Sequence, residues 1–501
     1  MRRYVPVILF FVVLLAPLAL RWAVEPRATA GASAASDGAS SFDAAGAGLP
    51  LIIITPHAES IRTEFADAFS RWHHQQFGEP VFVDYRIYGG ASDIVRYFDS
   101  ARRTVYASLK TYKIDLVWGG GDDLFERRLK QPGYLQPVEL PAEVMRRAYA
   151  RREIGGLPLY DQSGPRPQWF GTALSSFGIV YNRDVLRHLA VPEPQTWSDL
   201  ADPRYRGWVI LADPGRSAVA RTTFMVVVER AMQDAIDAGR SADEGWARGM
   251  GLVRQIAANA RLFTDNGTVV PAQVGTGDVA AGMAIDFQAR SQVDAVGSQP
   301  GSGSNGAAAA RLAYIEPVGA TAMNPDPIAL VKGAQHPEVA VRFIEFVLSE
   351  QGQRLWNTRA GAAGGPRRSS LRRLPIMESV YAAPTDFTDP VNPYASSGGF
   401  NTRRDRTATS SILAELIQLS CIDLLDELRQ TRQAILASPG AAELDARLAV
   451  FPFDQQEALA RAKRWSEASP LERLEIGRQW TDEFRQEYAR LRAEARGVAA
   501  R

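Results

Sequence analysis

The chain contains 501 residues, which is enough for two or three domains around a large hydrophobic core. The formal net charge is +1 and the arginines are spread along the sequence, so nothing in the composition favours a nucleic-acid partner, and none is expected. A single cysteine, Cys421, excludes an internal disulfide and a cysteine-rich metal cluster. Its apolar, helical surroundings predict a buried, inert thiol.

The N-terminal segment has the charge and length of an export signal. Arg2 and Arg3 precede an uncharged, mostly apolar run at residues 5–20, and an "ATA" triplet fits a cleavage site. Residues 1–30 are therefore predicted to be a signal peptide or an N-terminal anchor, since snorkelling flanking residues can let a short apolar run stay in a bilayer. Residues 31–49 are rich in Gly, Ala and Ser and predict a flexible linker. Both alternatives place the folded protein in the periplasm or another extracytoplasmic space, with membrane contact only through this segment.

Three strand–turn–helix units open the folded region. Residues 51–54, "LIII", predict a buried strand, followed by Thr55 as helix N-cap and Pro56 as the first helical residue. The next two predicted strands end at glycine turns, at residues 89–90 and 119–121. Repeated units of this kind predict a parallel sheet with helices on both faces. Because such sheets bind ligands beyond the carboxyl ends of their strands, one wall of a cleft is expected there.

A second α/β unit is predicted from "WVILADPGRSAVA" at residues 208–220 and from "AAGMAIDFQ" at residues 280–288. Extended segments with glycine residues, at 175–181 and 313–320, cross between the two units. Two α/β lobes joined by two extended crossings predict a hinged protein with a cleft between the lobes.

Three longer phrases make the sequence similar to a known family. They are "ALSSFGIVYNRDVL", "PQTWSDLADPRYRGWVILADP" and "PIALVKGAQHPEVAVRFIEFVLSEQGQRLW". They resemble the extracellular solute-binding proteins of ABC importers, of the type II class related to ferric-ion-binding proteins, over roughly residues 50–375. The resemblance implies an α/β, two-lobed fold that closes on a small solute and presents it to a membrane permease.

These expectations divide the chain into consecutive parts and predict a monomer. The C-terminal helices, which the family phrases do not cover, are expected to pack on the first lobe. The predicted parts are the leader at 1–30, the linker at 31–49, the first part of lobe 1 at 50–174, lobe 2 at 175–316, the return to lobe 1 at 317–400 and a C-terminal helical extension at 401–501.

The stretch "GDVAAGMAIDFQARSQ" places Asp286 and Phe287 at the end of a small-residue strand that is predicted to be buried. Ferric-ion-binding members of the family commonly carry adjacent tyrosines here, so the resemblance implies a ligand-contact position whose chemistry has changed. A carboxylate beside a ring suits an organic cation. A metal ion held by His57, Asp286 and water, with iron as one transported candidate, or a metal complex fits equally well. Capping of the following helix by Asp286 has equal weight.

The other candidate residues lie at predicted strand ends and turns, and no resident cofactor is expected with certainty. The family resemblance places a ligand-contacting residue near His57. His73 and His74 are predicted to be solvated, and Trp118 is predicted to pack in the core. The predicted ligand-binding set is His57, Glu59, Gly90, Ser92, Gly119, Gly120, Ser176, Asp213, Thr268, Asp286 and Phe287.

Enzyme signatures are scarce, because the sequence contains no HExxH motif, nucleophile elbow or P-loop. The favoured interpretation is a non-enzymatic solute-binding component of an ABC transporter. Two alternatives stay open: a ligand-sensing extracytoplasmic domain of a signalling system, and a metal-dependent hydrolase that uses the same cleft.

Overall fold

The structure, a computed structural model, describes residues 48–297, 310–383, 386–395 and 406–497. The predicted leader and nearly all of the predicted linker lie outside the described residues. Within those four ranges, no helix combines the length and the apolar character needed to cross a membrane.

A six-stranded mixed sheet forms the centre of the first lobe, which we call lobe 1. Its strand order is β13-β6-β12-β3-β1-β2. Strands β1, β2 and β3 run parallel, as the sequence predicts, whereas β12 and β13 pair antiparallel with β6. The strands are β1 (Leu49–Ile54), β2 (Val81–Arg86), β3 (Leu116–Trp118), β6 (Phe170–Ser175), β12 (Asn324–Leu330) and β13 (Leu374–Pro375).

A five-stranded mixed sheet forms the centre of lobe 2. Its order is β11-β7-β10-β8-β9, with β8 parallel to both β9 and β10. A small hairpin of β4 (Glu153–Ile154) and β5 (Leu157–Pro158) belongs to neither sheet. The strands of lobe 2 are β7 (Phe177–Asn182), β8 (Val209–Ala212), β9 (Ala260–Thr264), β10 (Ala281–Ile285) and β11 (Leu312–Ile315).

The longer helices that cover the sheets carry an apolar stripe. The first, for example, buries Ile61, Phe65 and Phe69 at helical spacing. Two π-helical segments, Leu124–Lys130 and Gln418–Ile422, occur among the helices. The helices are α1 (Glu59–Phe77), α2 (Ala91–Arg103), α3 (Val105–Leu109), α4 (Ala142–Ala148), α5 (Arg183–Leu189), α6 (Ala218–Asp237), α7 (Ala242–Ala258), α8 (Val270–Thr276), α9 (Asp286–Gly297), α10 (Pro337–Leu348), α11 (Glu350–Leu355), α12 (Arg406–Ile417), α13 (Leu425–Leu436), α14 (Ala441–Leu448), α15 (Gln455–Glu467) and α16 (Pro470–Ala495).

Within the described residues, the chain passes from one sheet to the other in two places that lie side by side. Strand β6 ends in the first sheet at Ser175, and β7 begins in the second sheet at Phe177. The return crossing runs from β11 to β12 through residues 316–323. The Thr321 hydroxyl joins the two crossings, because it accepts from the Phe177 amide at 3.0 Å and donates to the Phe177 carbonyl at 2.7 Å.

The C-terminal helices α12–α16 pack on lobe 2, so the expected packing on the first lobe is wrong. Leu416 and Tyr488 share one continuous hydrophobic core with Trp246 of α7 and with the strands of lobe 2. Helix α7 buries 11 of its 17 residues, which is too many for one apolar stripe, and therefore needs cover on a second side. A Cβ at Gly251 of α7 would clash with the Ala449 carbonyl, which shows how closely the extension approaches.

Two local predictions also need correction. Helix α1 begins at Glu59, with Ala58 rather than Thr55 in the N-cap position, so Pro56 lies outside the helix. His73 is buried and its Nδ1 lies 3.0 Å from the Glu79 carbonyl oxygen, whereas His74 is exposed as predicted. Cys421 is buried and Trp118 is fully buried, which confirms both expectations.

Candidate functional site

His57 lies just beyond the carboxyl end of β1, and its side chain is only 5% exposed. Its Nε2 lies 2.6 Å from Oδ2 of Asp326 on β12. The edge of the imidazole packs on Trp118, with ring centroids 4.6 Å apart. Gly119, at φ +88°, lets the turn approach the ring, because a Cβ there would stand 2.6 Å from Nε2. The glycine turn after β3 therefore makes room for the histidine.

Asp326 is the centre of a buried polar network. It accepts from Arg373 Nη1 at 2.6 Å and from the Gly120 amide at 3.0 Å, besides its contact with His57. Burial alone would raise the pKa of Asp326, but Arg373 and His57 outweigh burial and hold that pKa well below its ordinary value. Burial, opposed by Asp326, lowers the pKa of His57. The network thus holds an ionised aspartate and a neutral imidazole at neutral pH.

Arg373 connects this network to lobe 2. Its Nη2 donates to the Ser175 hydroxyl at 2.9 Å, at the end of the first crossing. Its guanidinium lies over the ring of Phe287 in α9, with the central carbon 4.7 Å from the ring centroid, and 5.4 Å from that of Trp356. The guanidinium is therefore held by lobe 1 and covered by an aromatic ring of lobe 2.

A second polar cluster lies where the crossings meet α9. Arg290 Nη1 donates to Asp286 Oδ2 at 3.3 Å, and Arg290 Nη2 donates to Glu316 Oε1 at 2.6 Å. The Ser176 hydroxyl also donates to Glu316 at 2.6 Å, and the Asp286 amide donates to the Ser176 carbonyl at 3.0 Å. Two carboxylates thus share one arginine beside the crossings. We call Ser176, Asp286, Arg290 and Glu316 the hinge cluster.

Asp286 is fully buried, with Oδ2 on Arg290 and with no hydrogen-bond partner for Oδ1. Burial is the main reason that the pKa of Asp286 rises to about 6; Arg290 opposes this rise and Glu316 adds to it. The sequence prediction attributed the compensation of this charge to a solute, a metal or helix N–H groups. The structure instead provides Arg290, four residues along the same helix.

Further ion pairs join the two lobes. Arg372 binds Asp389 of lobe 1 at 2.7 Å and reaches Asp294 of α9 at 3.1 Å. Arg221 of α6 lies 3.8 Å from Asp123, which precedes the π-helical segment of lobe 1. These contacts, together with the covering of Arg373 by Phe287, describe lobes that meet across the cleft.

The predicted site residues fall into three groups. His57, Gly119 and Gly120 belong to the Asp326 network. Ser176 and Asp286 belong to the hinge cluster, and Phe287 contacts the Asp326 network through Arg373. Gly90 and Ser92 open α2 toward lobe 2, where a Cβ at Gly90 would lie 3.9 Å from the Arg216 carbonyl. Asp213 caps its own turn by accepting from the Gly215 amide at 2.7 Å, while Glu59 and Thr268 are exposed and outside both clusters.

The sequence prediction missed Asp326, Arg373, Arg290 and Glu316. Asp326 carries a readable signal, because the segment "NPDP" at the start of β12 puts a carboxylate between two prolines, an unusual sequence for a strand. Arg373 has no comparable signal, since its partners are distant in sequence.

The predicted metal site at His57 and Asp286 gains no support. Among residues 48–297, 310–383, 386–395 and 406–497, no group of three or more His, Cys, Asp or Glu side chains is arranged to hold a metal ion. His57 Nε2 is taken by Asp326, and Asp286 Oδ2 is taken by Arg290.

Curated relatives match only parts of the chain. The phosphoglycerate transport regulatory protein PgtC of Salmonella typhimurium is 26% identical over 210 residues, covering 40% of this chain and 46% of that protein. The iron uptake protein A1 of Synechocystis sp. is 26% identical over 263 residues, covering 48% and 65%. The chain therefore spans about half to two thirds of the length of these relatives.

A solved structure shows the same fold. The substrate-binding protein of an ABC transporter from Agrobacterium tumefaciens aligns with a TM-score of 0.51 and 16% identity, over 75% of this chain and 94% of that one. The model of the family described as bacterial extracellular solute-binding protein matches residues 113–375, just over half of the chain. With its two α/β lobes and interlobe cleft, the protein belongs to the bacterial extracellular solute-binding protein family.

Proposed function

We propose that the protein is the extracytoplasmic solute-binding component of an ABC importer, which captures a small solute between its lobes and delivers it to a membrane permease. The observation that carries the proposal is the pair of adjacent crossings, at Ser175–Phe177 and at residues 316–323. Two sheets whose described chain connections are two short extended segments can rotate relative to each other, and the family membership supports this interpretation.

Closure is the second part of the proposal. Arg221 with Asp123, Arg372 with Asp294, and the cation–π contact of Arg373 with Phe287 would form when the lobes meet and separate when they open. Each partly exposed ion pair contributes about 1 kcal/mol or less, so these contacts alone give a shallow preference for closure. A solute that touches both lobes would add the rest.

The relatives are named for different cargoes, phosphoglycerate and iron, so their names do not choose between an organic anion and a metal. Each of the two polar clusters already contains an arginine that pairs with its carboxylates. These carboxylates therefore need no metal ion, which supports an organic solute. The family location outside the cytoplasm suits a leader at residues 1–30, and we propose that this segment is either removed or retained as an anchor. No observation favours the sensing-domain or hydrolase alternative.

The proposal is tested by measuring the distance between the lobes with two spin labels. Ser100→Cys in α2 and Ala238→Cys after α6 are exposed positions on different lobes. The natural Cys421 should stay unlabelled, because burial raises the pKa of its thiol to about 11. Addition of a low-molecular-mass extract of bacterial cells should shift the distance distribution toward one narrower population.

A matched control carries both labels on lobe 1, at Ser100→Cys and at the exposed Lys113→Cys. Its distance should be the same with and without the extract. A label distance between the lobes that ignores every extract would contradict solute-driven closure.

A further inference from the structure

We propose that Arg373 is a built-in cation that sets the solute class: the cleft takes a small organic anion and rejects metal ions and organic cations. This inference rests on the proposed solute-binding function. It assigns to Arg373 a role in specificity that the sequence does not suggest.

The groups that would attract a cation at this place are already used. The His57 imidazole and the Asp326 carboxylate are typical partners for a metal ion or an ammonium group. Asp326 Oδ2 instead accepts from Arg373 Nη1 at 2.6 Å, and the same Nη1 lies 3.4 Å from His57 Nε2. A bound cation would therefore have to stand beside the guanidinium or displace it.

Displacement is unfavourable because the Arg373 side chain is embedded. It is 4% exposed, it donates to Ser175, and aromatic rings of Trp356 and Phe287 lie against its guanidinium. Breaking a buried ion pair by removing one partner is strongly destabilising, because it leaves an uncompensated buried charge. A second positive charge beside the guanidinium would also be repelled by it.

The network leaves two buried polar atoms without partners. One is the Nε–H of Arg373, which is a donor, and the other is Nδ1 of His57. The ionised Asp326 carboxylate accepts a hydrogen bond from His57 Nε2, so Nε2 carries the proton of the neutral ring. Nδ1 is therefore left as an acceptor. An unpaired buried donor or acceptor is unfavourable, and a solute that pairs with it would recover this cost.

One donor on a cation and one neutral acceptor match a specific chemistry. An anionic oxygen accepts from Arg373, and a hydroxyl donates to His57. A hydroxycarboxylate or a phosphorylated polyol carries both groups. The position of Phe287 explains how a solute would reach Arg373. Phe287 belongs to lobe 2 and would leave the face of the guanidinium when the lobes open.

The experiment uses the full chain and asks which resin removes the stabilising component from a low-molecular-mass bacterial extract. The extract is passed over an anion-exchange, a cation-exchange or a chelating resin, and the thermal shift and label distance are then recorded.

Removal by the anion exchanger alone is expected. Removal by the cation exchanger or the chelating resin would overturn the proposal. If the complete extract closes the lobes but no resin removes the activity, the solute is neutral and the proposal also fails. Absence of any response to the complete extract would instead count against the proposed function. Citrate, which has carboxylates and no phosphate, and glycerol 3-phosphate, which has a phosphate and no carboxylate, then separate carboxylate from phosphate recognition.

A double variant, Arg373→Met with Asp326→Asn, removes both charges so that no buried carboxylate is left alone. We expect the concentration of the active anion fraction that gives half of the shift to rise at least about tenfold. The control is Arg359→Met, because Arg359 is 61% exposed and pairs loosely with Asp386 at 3.6 Å. An unchanged response of the double variant, with its melting temperature showing that it is folded, would overturn the role of Arg373.

Discussion

Replacement of Arg254 by Met is expected to lower the free energy of unfolding by about 3–5 kcal/mol. Arg254 lies in α7, is completely buried, and donates to Glu487 at 2.9 Å and to the carbonyls of Leu448 and Val450 at 2.9 and 2.7 Å. The methionine keeps the stem of the side chain but leaves these acceptors without a donor. The extension should therefore loosen from lobe 2, and chemical denaturation should report the loss.

The matched control for this prediction is Arg248→Met in the same helix. Arg248 is 48% exposed and pairs with Glu244 across one helical turn at 2.9 Å, so its removal should change stability by no more than about 0.5 kcal/mol. Equal effects of the two substitutions would show that the extension does not depend on the buried arginine.

Asp286→Asn is expected to stabilise the protein at neutral pH. The pKa of Asp286 is raised from an ordinary value of 3.8 to about 6, which corresponds to about 3 kcal/mol of unfavourable free energy when the carboxylate is ionised. The substituted amide would keep the shape of the side chain, and Arg290 would keep its contact with Glu316 at 2.6 Å. A gain of about 1–3 kcal/mol at about pH 7.5 is therefore expected.

The sign of the pH dependence follows from the same shift. Between about pH 4 and pH 6 the native state binds more protons at Asp286 than the unfolded state does, so this residue makes stability fall as the pH rises. The gain from Asp286→Asn should accordingly shrink as the pH is lowered through that window. Asp234→Asn, at a position 60% exposed, is the control and should show no such trend. A loss of stability at about pH 7.5 would contradict the prediction.

The parts of the fold that depend on local sequence could be predicted. Strand–turn–helix units give a parallel sheet because strand ends, glycine turns and helix starts are neighbours in the chain. The crossings could be located approximately: predicted at residues 175–181 and 313–320, they lie at 175–177 and 316–323, because part of each predicted segment belongs to a strand of lobe 2. The docking of α12–α16 on lobe 2 could not be predicted, because it depends on the second apolar side of α7. It also depends on Gly251, whose missing side chain matters only because Ala449 packs against it.

Only those residues of the candidate site that lie at strand ends could be predicted from the sequence. Residues beside strand ends, such as His57 and Gly119, were identified from position alone. Their partners are 269 residues away, in the case of Asp326, and 316 residues away, in the case of Arg373. Nothing local indicates that a guanidinium returns to this place, so the sequence left an organic cation, a metal ion and a metal complex open without taking Arg373 into account. The spacing of Asp286 and Arg290 is the exception, since four residues on a helix place both on one face.

Native mass spectrometry of the full chain, after incubation with the bacterial extract, tests solute capture and the role of Arg373 together. We expect a one-to-one complex with a small organic anion, which is lost from the Arg373→Met/Asp326→Asn variant and kept by Arg359→Met. A complex with a metal ion or with a polyamine, or an organic adduct that the double variant retains unchanged, would contradict this expectation.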